Sequence, residues 1–384
     1  MPEETATTPT IVIIYPHIAH YRLGVFRELM RERSVKYSFI TGTRAYEKDI
    51  PVADMSQLQP LRIVKNVWVG PFLLQPYVLL HAVKSKSSAS IFVGDARYLS
   101  TWIAALILRL RGRSVYFWTI GWHRPEKGLK RLTRILFYRL ANGLLLYGEV
   151  GRMIGLQMGY SLDRMDVIWN SSDVDATEPA ELSLSESGMR TSCRDYVDCS
   201  EVVGAVVRPN SNKRLDLLIE AVQILRTRGR DVGVIIAGEG PCRESLQQLA
   251  STLGVPASLS GPIYLSADLQ KIYNRLIVTV VPEALGLTAI QSLWYGCPVI
   301  TCDDKYRAMP EHECIKPGVT GDFYAADDVT DLADTIERWI LRSQSDALRI
   351  SQDCRDEVVA NWTASAHAHR ITRVMVRLCS LEAK

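Results

Sequence analysis

The chain has 384 residues, more than one hydrophobic core usually organises, so we expect two domains. Hydrophobic residues make up 47% and charged residues 23%, which is typical of a globular protein and excludes a disordered one. The net charge of +3 hides an asymmetry, because residues 1–190 carry +7 and residues 191–384 carry −4.

In chain order, the N-terminal half alternates predicted strands and helices. Strands are predicted at 10–16, 35–42, 89–95, 114–121 and 141–149, with a helix at 24–34 and helix-like spans between the others. The apolar run at 99–108 is about half the length that spans a bilayer, so no transmembrane helix is predicted. We interpret residues 1–172 as the first domain.

Residues 173–200 are rich in serine and acids and lack apolar periodicity, which indicates a linker or surface excursion. Strands and helices then alternate from 201 to about 301 at roughly thirty residues per pair, which is typical of βαβ units. Among the strands predicted there are 201–208, 231–238 and 276–282. We assign 201–355 to a second domain. We expect 356–384 to form a helix that packs back on the first. The predicted architecture is α/β, two Rossmann-like domains with parallel sheets that face each other across a ligand cleft.

The N-terminus is acidic and polar, unlike a signal peptide, so export is not expected. All eight cysteines lie in the C-terminal half without a C-x-x-C pair, and we expect mostly buried, reduced thiols in a cytoplasmic protein. They are Cys193, Cys199, Cys242, Cys297, Cys302, Cys314, Cys354 and Cys379.

A basic stretch runs from 108 to 140, where nine cations alternate with leucines and aromatic residues. It suits a surface that attracts anionic lipid at the inner face of a membrane. It equally suits a solvated helix face beside a buried apolar one. Nucleic-acid binding is not expected, because the charge is local and no reader motif accompanies it.

Two cations and a glycine turn follow predicted strands in the second domain. Arg208 and Lys213 lie between a strand and a helix, where parallel sheets bind ligands and where two cations can hold one anion. The segment 237–246 follows the next strand and contains Gly238 and Gly240, but it lacks the third glycine of a dinucleotide fingerprint. We interpret it as a tight turn near a nucleotide.

A third loop carries an acid and a further glycine turn. Glu283 follows a strand that ends at Pro282, Gly286 permits a left-handed turn, and a helix begins at Leu287 or Thr288. Gln291 stands eight positions after the acid, about one turn into that helix.

Together these motifs resemble the donor domain of the GT-B retaining glycosyltransferases of family four, the glycosyl transferases group 1 type. The resemblance implies that Arg208 and Lys213 hold the donor diphosphate and that Glu283 lies near the donor sugar. It places Gln291, where the family has a second Glu, at the nucleotide ribose. Segment 310–324 resembles the stretch that closes the domain. The further residues implied are Gly286, Leu287 and Thr288 for the diphosphate, and Gly238, Glu239, Pro262 and Ile263 for the nucleoside.

The N-terminal half fits the family less closely, because only one glycine follows the first strand instead of a pair. His123, just after a strand, is expected to contact the sugar, as a cleft histidine does in many family members. The residues expected on the acceptor side or in the cleft are His20, Arg22, Gly24, Asp95 and Arg97.

The resemblance implies transfer of a sugar from a nucleoside-diphosphate sugar to a glycan or lipid-linked acceptor, with retention of configuration. Charge develops on the leaving phosphate, and Arg208 and Lys213 can stabilise it, so neither a metal nor another cofactor is expected. Two alternatives stay open: other chemistry on a sugar nucleotide or sugar phosphate, such as epimerisation or phosphorolysis, and a degenerate binding or scaffold protein. Gln291 is the strongest argument for the last.

Overall fold

The computed structural model describes residues 8–43, 53–172, 197–263 and 265–382, with side chains up to 377. The chain divides into two compact units. The first contains residues 1–173 and 363–384, and the second contains residues 174–362. Most of the predicted linker, 173–196, lies outside the described residues.

The first unit is built on a seven-stranded sheet in which every neighbouring pair of strands is parallel. A separate antiparallel hairpin, β4–β5, follows β3. The sheet order is β3-β2-β1-β6-β7-β8-β9. The strands are β1 Thr10–Tyr15, β2 Lys36–Gly42, β3 Leu61–Val64, β4 Val67–Val69, β5 Phe72–Leu74, β6 Ala89–Val93, β7 Ser114–Thr119, β8 Gly143–Leu146 and β9 Met165–Val167.

Helices cover both faces of this sheet, because successive residues of a strand point to opposite sides. Ile11 and Ile13 of β1 pack in the core layer under α1 and α11, whereas Val12 and Ile14 pack in the layer under α2 to α5. The helices are α1 Leu23–Arg31, α2 Pro76–Lys84, α3 Leu99–Leu110, α4 Gly128–Arg139, α5 Glu149–Gln157 and α11 Ala364–Glu382.

The second unit has a six-stranded parallel sheet in the order β12-β11-β10-β13-β14-β15. Order reverses between β10 and β13, so a crevice forms there at the carboxyl ends of the strands, where such sheets bind ligands. The strands are β10 Glu201–Val206, β11 Val232–Ala237, β12 Ala257–Ser260, β13 Thr279–Val280, β14 Val299–Cys302 and β15 Gly321–Tyr324.

The helices of the second unit follow the apolar periodicity of the sequence. They are α6 Leu215–Thr227, α7 Arg243–Thr252, α8 Ser266–Arg275, α9 Thr288–Trp294 and α10 Val329–Asn361. Helix α10 begins at an N-cap in which the Asp328 side chain accepts hydrogen bonds from two backbone amides of the first turn. It ends at Asn361, so the domain boundary predicted at 355/356 falls inside a helix of the second unit.

The last helix, α11, belongs to the first unit and packs against α1. Its residues Ile371, Val374 and Met375 are buried, as the apolar spacing predicts. Of the six cysteines whose side chains are described, five are buried and Cys242 is half-buried. Within the described residues, no helix is both long and apolar enough to cross a bilayer.

Candidate functional site

The carboxyl end of β10 carries the first candidate loop of the second unit. Arg208 is exposed there, and Lys213 follows in a short 3-10 turn that ends at Arg214 in the left-handed region, with φ of 49°. The turn that contains Gly238 lies in close contact with this loop. A Cβ at Gly238 would lie 2.2 Å from the Val207 carbonyl oxygen. Glycine is therefore required where the two loops meet.

Lys213 is half-buried and reaches into the 284–286 turn. Its Nζ donates hydrogen bonds to the backbone carbonyls of Ala284 and, at 3.4 Å, Leu285. A Cβ at Gly286 would lie 3.9 Å from the same Nζ. The Lys213 carbonyl also accepts from the Glu283 amide at 3.2 Å. The structure thus joins the Lys213 and Glu283 loops, which lie some seventy residues apart in sequence.

Burial changes the acid–base behaviour of this lysine. It lowers the pKa of Lys213 to about 8, because a desolvated ammonium is less stable than a neutral amine. The carboxylate of Glu311, which is 5% exposed, opposes this shift and favours the charged form. Sequence reasoning missed Glu311, which lies in the 3-10 turn Pro310–Cys314; the only signal was its place beyond β14, at the carboxyl edge of the sheet.

The carboxylate of Glu283 forms ion pairs with two arginines. Arg307 donates to its carboxylate at 3.0 Å, and Arg214 lies 3.8 Å away. Asp327 links the same two arginines, at 2.7 Å from Arg307 and 3.3 Å from Arg214. Only 16% of the Glu283 side chain is exposed. Its orientation is therefore fixed by a charged network, whose partners the motif spacing did not indicate.

The helix after this loop begins as predicted. Gly286 has φ of +63°, Leu287 is the N-cap, and α9 begins at Thr288. The Thr288 hydroxyl donates to the Val206 carbonyl at 3.3 Å, which ties the start of α9 to the end of β10. Gly286 therefore lies beside Lys213, and Leu287 and Thr288 open the helix that follows it.

Gln291 has a partner that the sequence did not reveal. Its Oε1 accepts a hydrogen bond of 3.1 Å from the hydroxyl of Tyr273, a buried residue of α8 whose ring stacks on Tyr295 at 5.0 Å. Burial raises the pKa of Tyr273 well above its usual value, so this hydroxyl stays protonated and donates. The hydrogen bond from the Tyr273 hydroxyl therefore orients the Gln291 side-chain amide.

The remaining predicted nucleoside residues surround the ends of β11 and β12. Gly238 is buried and Glu239 is exposed, with its carboxylate 3.3 Å from Arg243 of α7. Pro262 is exposed and Ile263 is half-buried against the core that contains Tyr273. The next residue, Tyr264, lies outside the described residues.

In the first unit a pocket of about 820 Å³ opens at the carboxyl ends of β6 and β7. It brings together three of the predicted residues, since Asp95, Arg97 and His123 all line it. Arg97 pairs with Asp95 at 2.6 Å. Lys130 and Arg134 of α4 line the opposite part of the wall.

A buried acid fixes the α4 side of this pocket. Glu126 accepts two hydrogen bonds from Arg134, at 2.7 and 2.8 Å, and lies 3.2 Å from Lys130. Burial alone would raise the pKa of Glu126, but these cations outweigh it and hold the pKa below its usual value. Sequence reasoning missed Glu126, because an acid within a basic stretch reads as a surface charge.

The other N-terminal candidates are dispersed. His20 is exposed at the start of a 3-10 turn, whereas Gly24 is buried inside α1 and so lies in a helix rather than a loop. Arg22 donates to Asn170 and Tyr147, each at 2.8 Å, and lies over the Trp118 ring. This network holds Arg22 within the first unit, across the ends of β1, β7, β8 and β9.

The second unit therefore brings Lys213, Gly286 and Glu283 together at one turn, whereas Arg208 lies exposed after the end of β10. Its sequence matches the model of the family "Glycosyl transferases group 1" over residues 198–355. These residues belong to the glycosyl transferases group 1 family. Within this glycosyltransferase domain the paired loops of Lys213 and Glu283 occupy the carboxyl edge of the sheet.

Two curated proteins resemble the chain at 22% and 24% sequence identity. The putative glycosyltransferase EpsF of Bacillus subtilis (strain 168) is 22% identical over 308 residues, which cover 75% of this chain and 73% of that protein. The alpha-D-kanosaminyltransferase of Streptomyces kanamyceticus is 24% identical over 182 residues, 46% of each chain.

Solved structures share the fold over both units. The Anabaena protein Alr3699/HepE in complex with UDP has a TM-score of 0.71 at 16% identity, covering 95% of this chain and 99% of its own. A glycosyltransferase from Rickettsia africae has a TM-score of 0.72 at 15% identity, covering 97% and 99%. The chain therefore has the GT-B fold class, as the sequence motifs predicted.

Proposed function

We propose that this protein transfers a sugar from a nucleoside-diphosphate sugar to a glycan or lipid-linked acceptor, with retention of configuration and without a metal. The observation that carries the proposal is the convergence of Lys213, the Gly286 turn and Glu283 at the carboxyl edge of the group 1 domain. Cations there suit a leaving diphosphate, which gains negative charge as the glycosidic bond breaks.

In this proposal Arg208 and Lys213 bind the diphosphate, and Thr288 and the backbone around Gly286 and Leu287 surround it. Glu283 orients sugar hydroxyls, since Arg307 and Arg214 fix its carboxylate. The two arginine contacts support a positioning role for Glu283 rather than attack on the anomeric carbon.

The nucleoside is assigned to the region of Gln291, Gly238, Glu239, Pro262 and Ile263. Gln291 is close to the core of this unit through Tyr273 and can still exchange a hydrogen bond with a ribose hydroxyl. UDP-glucose is the first donor to test, because HepE has been solved in complex with UDP and with UDP-glucose.

On the acceptor side we assign His123, Asp95 and Arg97 to the pocket of the first unit, with His123 contacting the sugar that is transferred. His20 is kept as a further candidate because it is exposed. We place the reaction in the cytoplasm, at the inner face of a membrane.

The decisive experiment is calorimetric titration with UDP, GDP and ADP, followed by a donor panel assayed for released nucleoside diphosphate. Binding of one diphosphate and donor-dependent release of it are the expected results. The anomeric configuration of the product, read by NMR coupling constants, tests retention. A chain that binds none of the three nucleotides would contradict the proposal.

A further inference from the structure

Four neighbouring helices, α2 to α5, cover one face of the first unit's sheet. Val78 of α2, Ala105 of α3, Phe137 of α4 and Ile154 of α5 all pack in the same core layer. Trp102 of α3 packs against Phe137 of α4 with ring centroids 4.8 Å apart and ring planes tilted by 41°, so α3 and α4 lie side by side. The sides of these helices that point away from the sheet form one continuous surface, here named the basic–apolar face.

Helix α3 presents a stripe of apolar side chains on this face. Leu99, Ile103, Leu106 and Leu110 follow one another at helical spacing and are 39%, 51%, 49% and 80% exposed. The opposite side of the same helix buries Ala104, Ala105 and Leu108 in the core. The helix is therefore apolar on both sides. A helix whose outer side faced only water would be polar on that side.

Helix α4 repeats the arrangement. Leu129, Leu132 and Leu136 are 78%, 53% and 48% exposed, and Arg139 continues the same stripe as an exposed cation at its end. Helices α2 and α5 add further exposed apolar side chains, among them Val83 at 54%. In all, these four helices supply 11 of the 23 large apolar side chains that are exposed within the described residues. An apolar surface of this extent marks a binding surface.

The charge of the same helices is strongly positive. Residues 76–157 contain 13 Lys and Arg but only three Asp and Glu, a net charge of +10. Each acid lies close to a basic side chain: Asp95 to Arg97 at 2.6 Å, Glu126 to Arg134 at 2.7 Å and Glu149 to Arg152 at 3.4 Å. Most of the positive charge of this segment therefore has no acid of the same segment to offset it.

We propose that the basic–apolar face binds the surface of an anionic phospholipid bilayer, with the leucines of α3 and α4 inserted at the headgroup level. Leucine stripes flanked by Lys and Arg combine the two forces that hold a protein on such a surface, apolar burial and attraction to acidic lipids. A second copy of the chain fits less well, because two faces rich in Lys and Arg would repel each other across the interface.

This inference rests on the proposed function in one respect, since it names the form of the acceptor. Leu129 belongs to the α4 stripe and also lines the pocket that contains His123 and Asp95. The pocket therefore opens beside the lipid-binding surface. An acceptor anchored in the bilayer can enter it without leaving the membrane, so the acceptor is a lipid-linked glycan.

The test is co-flotation of the full chain with vesicles of phosphatidylcholine alone or of phosphatidylcholine with phosphatidylglycerol. One variant removes charge, Arg109→Gln with Arg139→Gln, and another removes apolar surface, Leu106→Gln with Leu132→Gln. All four side chains are exposed, so the variants are expected to fold, which thermal unfolding checks. Binding to the anionic vesicles should fall about fivefold for each cation removed.

Matched controls lie away from this face. Leu341→Gln with Leu348→Gln changes two exposed leucines of α10 in the second unit, and Arg349→Gln with Arg373→Gln removes two exposed cations elsewhere. Both should bind anionic vesicles like the wild type. Raised salt should release the wild-type protein, because it screens the attraction.

Three results would overturn the proposal: equal flotation with neutral and anionic vesicles, wild-type binding by both face variants, or a dimer that the face variants dissociate. Vesicle binding needs neither donor nor transfer, so its failure is separable from failure of the proposed enzyme activity. Loss of nucleotide binding with intact flotation would instead reject the transferase and keep the lipid surface.

Discussion

Lys213 offers a direct test of the donor site, because burial lowers its pKa to about 8. Replacement of Lys213 by Ala removes one charge-assisted hydrogen bond to the diphosphate, which is about 1.5 to 3 kcal/mol. The dissociation constant for a nucleoside diphosphate should therefore rise about 10- to 150-fold at pH 7. Isothermal titration calorimetry measures it directly.

The pH dependence makes this prediction specific. The Lys213 pKa in the free protein is about 8, so its charge is present below that pH and is lost as pH rises through it. Since the diphosphate favours the protonated lysine, wild-type affinity should fall above pH 8, approaching tenfold for each further pH unit. An ordinary exposed lysine would keep its charge until about pH 10.

Arg208→Ala provides the matched control. It should weaken diphosphate binding by a similar amount, about 1.5 to 3 kcal/mol. The affinity of Arg208→Ala should still fall above pH 8, whereas the affinity of Lys213→Ala should no longer depend on pH in this range. Lys213→Arg should also flatten the profile, because a guanidinium keeps its charge across this pH range. Wild-type affinity in Lys213→Ala, or an unchanged pH profile in that variant, would refute the assigned role.

Three further substitutions test the rest of the donor site. Gln291→Glu should preserve nucleotide binding or tighten it by about 1 kcal/mol, because a carboxylate can accept from both the Tyr273 hydroxyl and a ribose hydroxyl; a folded variant without calorimetric binding would contradict this. Glu283→Gln should lower kcat about 100-fold in a transfer assay while nucleotide affinity changes little, and an equal loss of both would reject its sugar-positioning role. Gly238→Ala should destabilise the protein by about 1 to 3 kcal/mol in thermal unfolding, since its Cβ would strike the Val207 carbonyl; unchanged stability would disprove that contact.

Much of the fold followed from apolar periodicity, and the exceptions have physical causes. The strands predicted at 10–16, 201–208 and 231–238 are present because long buried runs bounded by turns have few alternatives. The strand Leu61–Val64 was missed, since it is short and lies at the sheet edge with exposed residues. The predicted strand 276–282 is buried over most of its length, yet only Thr279–Val280 is assigned as strand, because burial does not require sheet pairing.

The candidate site shows a similar division. Motif spacing indicated Lys213, Glu283 and Gln291, because each follows a strand or opens a helix at the ligand edge. Their supporting partners were not predictable, since Arg307 and Tyr273 reach them through tertiary packing alone. Periodicity specifies which elements form, whereas contacts between side chains of different loops depend on how those elements pack.

The contacts of Glu283 and Gln291 bear on whether Gln at position 291 marks a degenerate site. With Glu at position 291, two carboxylates would belong to the donor motif; with Gln, only Glu283 carries charge there, and Arg307 and Arg214 already accompany it. The Gln291 amide is neutral but is oriented by Tyr273, so it loses charge without losing position. Decay of a site would remove such orienting contacts along with the acid. Their presence favours a donor site adjusted at the ribose over a degenerate scaffold, and loss of nucleotide affinity in Tyr273→Phe, with stability retained, would demonstrate that the contact serves binding.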